Sequence, residues 1–126
     1  MTLNTLLLLL ILFQIKHLLA DFVWQSSWMV QTKGIYGHMG GICHAGMHAG
    51  LSLLILIFAA PSLMVALLIA VGEWVVHYHL DWYKDRELKK HGYTALQKGF
   101  WALAGLDQFA HQLSYVGILW LLIQFS

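Results

Sequence analysis

The chain reads as an all-α protein, a polytopic integral membrane four-helix bundle, on three grounds. Its residues are 60% hydrophobic and 10% charged, too apolar for a surface that faces water. Four stretches, at about residues 3–24, 42–58, 63–82 and 100–125, approach or exceed the roughly 20 apolar residues that cross hydrocarbon. Short or polar segments separate them, so each can turn back beside the one before. With 126 residues, one proline and no low-complexity linker, the chain forms a single domain, residues 1–126. A formal charge of +1 offers no basic surface to nucleic acid. The lone Cys43 can close no internal disulfide.

The first span lacks a basic start, and no small-x-small cleavage site follows it, so a retained helix is expected instead of a cleaved leader. "QTKGIYGHMGG" then forms a glycine-rich loop carrying Lys33 and His38. Only "AAPS" joins the second span to the third. Pro61 suits the first turn of a helix, where its missing N–H is not needed, and so short a link makes these spans antiparallel neighbours. "YKDRELKKHGYTALQK" reads as a charged, solvated loop that takes Asp85, Glu87 and His91 with it. Lys33 in one polar loop, and Lys84, Arg86, Lys89, Lys90 and Lys98 in the other, put both loops on the cytoplasmic side. Trp24, Trp28, Trp82 and Trp101 fall at that same boundary, as an aromatic belt does.

Four acidic residues remain in or beside the apolar spans: Asp21, Glu73, Asp81 and Asp107. Each has a histidine four positions away: His17 for Asp21, His77 for both Glu73 and Asp81, His111 for Asp107. Residues so spaced share a helix face, and a given acid meets such a histidine by chance only about one time in eight. The second span adds His44 and His48 in "CHAGMHAG". Placed by depth, one pair per helix arrives at one level near the cytoplasmic side, the arrangement of a bundle-core metal site.

The candidate ligands are therefore His17, Asp21, His44, His48, His77, Asp81, Asp107 and His111. Imidazole and carboxylate suit zinc, iron or manganese, and eight side chains can serve two ions, or one ion with outer carboxylates orienting the histidines. A cation also offsets the cost of burying carboxylates in a bilayer. Glu73 is the candidate base, with a ligand or an outer partner of a ligand as its alternative roles. Two other readings stand beside this one: Asp–His pairs that hold helices together without metal, and a tetrapyrrole, such as haem, held by two histidines. His79, two residues from His77, points to another face, and His38 and His91 are expected in solvated loops. Gly46 and Gly50 form a small-residue face away from the histidines.

"HLLADFVWQSSWM", "HYHLDWYK" and "LDQFAHQLS" resemble a bacterial and phage membrane family known as domain of unknown function 3307. The most specific pieces are His17 with Asp21, Phe22 and Gln25, then Asp81 with Lys84, then Asp107 and Gln108 with His111. The resemblance covers nearly the whole chain. It departs at Trp24, where an aliphatic residue is usual, and at the short turn between spans two and three. It implies a bacterial inner-membrane location and no particular reaction. A looser similarity of pattern links the chain to membrane-bound metal-dependent hydrolases, which also set histidines and aspartates in apolar helices.

The leading functional reading is a metal-dependent hydrolase acting on a lipid-like substrate, in which the metal lowers the pKa of a bound water towards about 7 and Glu73 or another free carboxylate carries the proton. The alternative is a non-enzymatic accessory subunit of a larger membrane assembly, its histidines holding a structural metal or a tetrapyrrole. A di-iron redox enzyme is a third. The expected partners are the lipid bilayer and a membrane protein or a second copy of the chain.

Overall fold

A computed structural model describes all 126 residues as five α-helices without a strand. Helix α1 (Leu3–Leu18) runs directly into a π-helical segment, Leu19–Trp24. The short α2 (Ser27–Thr32) follows, then α3 (Met39–Ala59), α4 (Leu63–His91) and α5 (Lys98–Phe125). Capping side chains mark the starts: Thr2 accepts from the Thr5 amide at 3.2 Å, and Ser62 from the Val65 amide at 3.3 Å. Pro61 lies just outside α4 instead of in its first turn, because Ser62 takes the cap position. His38 is not a free loop residue either. Its Nδ1 accepts from the Gly40 amide at 3.0 Å and caps α3.

Three segments are long and apolar enough to cross a membrane: Leu3–Trp24, Met39–Ala59 and Leu63–His91. The expected fourth, α5, has the length at 28 residues, but Gln108, His111, Gln112 and Ser114 make it more polar. Residues 83–91 also differ from expectation, continuing α4 by more than two turns instead of forming a loop. No glycine or proline interrupts them, and Glu87 reaches His91 at 3.4 Å across one turn. Gly92 ends the helix with φ at +64°, a left-handed cap that glycine adopts without strain.

Helix α1 packs on α3 and α5, α3 on α4, and α4 on α5. One half of the interior is apolar, with Leu9, Phe13, Leu56, Ile69, Ile118 and Leu122 in contact. The other half is not. Of 26 buried residues, 12 are polar or charged, while Leu8, Phe58, Leu68 and Trp120 stand exposed on the outside. Apolar exteriors around ionisable interiors suit a bilayer, in which charged side chains face the protein core.

Candidate metal centre

The polar half of the interior is built one helix at a time. The π-helical segment carries Asp21, and the Gln25 side-chain amide donates to the Asp21 carbonyl. Such π segments recur at functional sites because the wider turn re-aims a side chain. Helix α3 supplies His44 and His48, α4 supplies His77 and Asp81, and α5 supplies Asp107 and His111. With His17 from α1, all eight residues are buried.

Two groups form within this cluster. Asp21, His44, His48 and His77 each bring one ligand atom within 4.8 Å of the others, and His77, Asp81 and His111 do the same. Oδ1 of Asp21 lies 3.0 Å from Nε2 of both His44 and His48. Asp81 stands between the groups, with Oδ2 3.1 Å from His44 Nε2 and Oδ1 3.6 Å from His111 Nε2. Two ligands at zinc-type bond lengths in a tetrahedron lie about 3.3 Å apart, so these separations are compatible with atoms sharing an ion.

Hydrogen bonding accounts for only part of the cluster: His48 Nε2 and Asp21 Oδ1 share one hydrogen bond at 3.0 Å. His44 Nδ1 and Nε2, His48 Nδ1, His77 Nε2, Asp81 Oδ2, Asp107 Oδ1 and His111 Nε2 are all buried without a hydrogen-bond partner. Each such atom costs about 1–3 kcal/mol when left unsatisfied. The His111 ring is oriented for coordination: its Nδ1 donates to the Asp107 carbonyl at 2.8 Å, leaving Nε2 as a bare lone pair. Buried His and Asp groups of this kind can hold a metal ion.

Three of the sequence candidates stand apart from the two groups. His17 uses both ring nitrogens elsewhere, Nδ1 with Tyr115 Oη at 2.8 Å and Nε2 with Gln108 Oε1 at 2.9 Å. Its Nε2 also lies 3.1 Å from Asp21 Oδ2, so His17 orients that carboxylate. Asp107 sits beside the second group, 3.5 Å from His111 Nδ1. Glu73 is ion-paired with Lys16, whose Nζ also donates to the His48 carbonyl at 3.2 Å. The other oxygen of Glu73 has no partner.

Sequence reasoning passed over Lys16 and Tyr115, placed Lys33 and Lys84 only as cations of polar loops, and met Lys84 and Gln108 otherwise only as pieces of the family resemblance. Lys16 carried a signal, as the one lysine inside the first apolar span and the neighbour of His17. Lys84 lies three residues from Asp81 and so shares its helix face. Lys33 carried none. It is buried with Nζ 3.5 Å from Asp81 Oδ2 because α2 folds back over the start of α3. Gly41 permits that approach: a Cβ there would meet the Lys33 Cα and the Tyr78 ring, each at 3.2 Å. His79 faces away from the centre, Nε2 3.1 Å from Tyr36 Oη, and Gly46 backs onto Trp74.

A family profile described as "Protein of unknown function (DUF3307)" matches residues 8–126, which include every residue of the centre. The chain belongs to the DUF3307 family. No curated protein and no solved structure matches it. In this DUF3307 protein a polar pocket of ≈410 Å³ opens beside the centre, lined by Asp21, Gln25, Lys33, Lys84, Asp107 and Gln108, with Phe22 and Trp101 at its exposed edge. A separate, apolar cleft of ≈620 Å³ runs between α4 and α5, with Glu73 and Ser114 in its wall.

Proposed function

We propose that this DUF3307 protein is an integral membrane metalloprotein that hydrolyses a lipid-like substrate. One or two divalent ions, zinc, iron or manganese, are held among Asp21, His44, His48, His77, Asp81 and His111. The observation that carries this reading is the convergence of buried, unpartnered nitrogens and carboxylate oxygens from four helical segments at ligand–ligand distances. A bilayer interior selects against such a cluster unless a cation compensates it. The close approach of the His48 and His77 rings, with centroids 3.8 Å apart and planes tilted by 31°, favours ions over a tetrapyrrole inserted between histidines.

A divalent ion supplies Lewis acidity and a water activated at neutral pH. The chain's own groups do the rest. His17, held by Tyr115 and Gln108, fixes the Asp21 carboxylate. Asp107 and Glu73, outside both ligand groups and each with an unpartnered oxygen, are the carboxylates that can carry the proton. The polar pocket gives the substrate its way in. By the distribution of lysine and arginine this end faces the cytoplasm, and the membrane is the bacterial inner membrane.

The test is hydrolysis of a panel of lipid esters and phosphoesters by the purified protein in detergent. Turnover that stops with a chelator and returns with added zinc or manganese is the expected result. Full turnover in a metal-free preparation would contradict the reading.

A further inference from the structure

The polar pocket has a charge pattern that the ligand cluster alone does not require. Lys33 Nζ lies 3.5 Å from Asp81 Oδ2, and Lys84 Nζ lies 3.6 Å from Asp107 Oδ2. Lys33 is only 6% exposed, so its charge is spent inside the protein. Asp85 Oδ1 also lies 3.7 Å from Lys84 Nζ, so four carboxylates, Asp21, Asp81, Asp85 and Asp107, face these two ammonium groups, which leaves two net negative charges with the imidazoles neutral. One divalent ion cancels that charge, and two ions, as the two ligand groups allow, turn it to two net positive charges. A buried, uncompensated charge is costly. With two ions bound, an anion completes the balance.

A hydroxide between two ions could neutralise one of these charges, but it would leave the pocket's other features without a role. The pocket has room for a polyatomic group at ≈410 Å³, and the two lysines and the two side-chain amides of Gln25 and Gln108 line it together. Ammonium groups at separate points of a small pocket recognise an anion with several oxygens, and lysine serves phosphate as a point charge in this way. The outer edge is apolar: Phe22 and Trp101 are 67% and 62% exposed at the mouth. A charged group can enter there while hydrocarbon attached to it stays among exposed aromatic side chains.

We infer that the pocket beside the metal centre binds a phosphate group, with Lys33 and Lys84 as its anion contacts and the bound ions as its third. This rests on the metal reading above and names the substrate class it takes: a phosphate or phosphate ester. The group arrives either as the headgroup of an amphiphile or as a free anion.

The test uses the detergent-purified, zinc-loaded protein, with the metal content of each sample measured first. Inorganic phosphate is titrated by calorimetry, and mixed micelles containing phosphatidic acid or phosphatidylcholine are compared in parallel. Saturable phosphate binding is expected, weakened roughly tenfold to a hundredfold in Lys84→Gln and in Lys33→Gln, as loss of a hydrogen bond to a charged group implies. Lys84→Arg retains binding, and Lys90→Gln, on the exposed end of α4, leaves it unchanged. Phosphatidic acid that competes with phosphate, when phosphatidylcholine does not, identifies a headgroup; phosphate binding without such competition identifies a free anion. Zinc-loaded protein that binds neither probe overturns this inference and leaves the metal centre standing, as does equal weakening by Lys84→Gln and Lys90→Gln. Absence of bound zinc overturns the inference together with the reading beneath it.

Discussion

Oδ2 of Asp81 and Nε2 of His44 lie 3.1 Å apart in the interior of the bundle, and no hydrogen bond joins them. The other Asp81 oxygen faces His111 at 3.6 Å. One carboxylate thus stands between two ligand groups on different helices. Asp81→Asn keeps its size and removes its charge. Metal affinity should fall by at least about 10–100-fold, the loss typical of removing even an outer partner of a ligand, while helix content stays the same. Competition with a chelator measures the first and circular dichroism the second.

Tyr115 acts at one remove. Its hydroxyl meets His17 Nδ1 at 2.8 Å, and His17 in turn holds Asp21. Tyr115→Phe leaves the stacked contact with Phe13, centroids 5.4 Å apart, and frees the imidazole to turn. A roughly 10-fold loss of metal affinity is expected. Unchanged affinity would make His17 a bystander.

The Lys16–Glu73 pair is buried on both sides. Glu73→Gln leaves the ammonium uncompensated and should cost about 3–5 kcal/mol. Replacing both residues, Lys16→Met with Glu73→Leu, should recover most of that loss, since an apolar pair of similar volume is commonly neutral. Unfolding in mixed micelles measures both. A double variant no better than the single one would mean that the pair is not the source of the loss.

Glycines on α3 divide into those that face a neighbour and those that do not. Gly41→Leu pushes against Lys33 and Tyr78 and should cost about 1–3 kcal/mol as overpacking. Gly50 has open space where its side chain would be, so Gly50→Leu should change stability by less than about 0.5 kcal/mol. The same unfolding measurement serves for both.

Much of this was legible in the sequence, because helix spacing says which side chains share a face. The pairs His17 with Asp21, His44 with His48, His77 with Asp81 and Asp107 with His111 were found that way, and all eight residues are buried in one half of the bundle. Spacing does not say which ring atom faces which neighbour. The hydrogen bonds that occupy both nitrogens of His17, and the Nδ1 bond that frees Nε2 of His111, come from Tyr115, Gln108 and the local backbone. Nor did charge in a polar segment mean exposure. Lys33 belongs to a stretch that reads as a loop, and only the passage of α2 across Gly41 brings it to Asp81. The end of α4 was misplaced for a simpler reason. Charged residues 84–91 looked like solvent-facing loop, yet nothing before Gly92 breaks a helix.

Metal held by neutral imidazoles competes with protons, so binding should weaken as pH falls and should release protons as it occurs. Calorimetry in buffers of different ionisation enthalpy reads that release directly. Binding with no proton release at any pH would argue against histidine ligands.

Metal content per chain, measured by plasma mass spectrometry on detergent-purified protein, bears on the centre before any substrate is known. One or two zinc, iron or manganese ions per chain are expected, and a variant combining His48→Ala with Asp81→Asn should lose them. Folded wild-type protein with no such metal would contradict the account and leave the histidines and aspartates as contacts between helices.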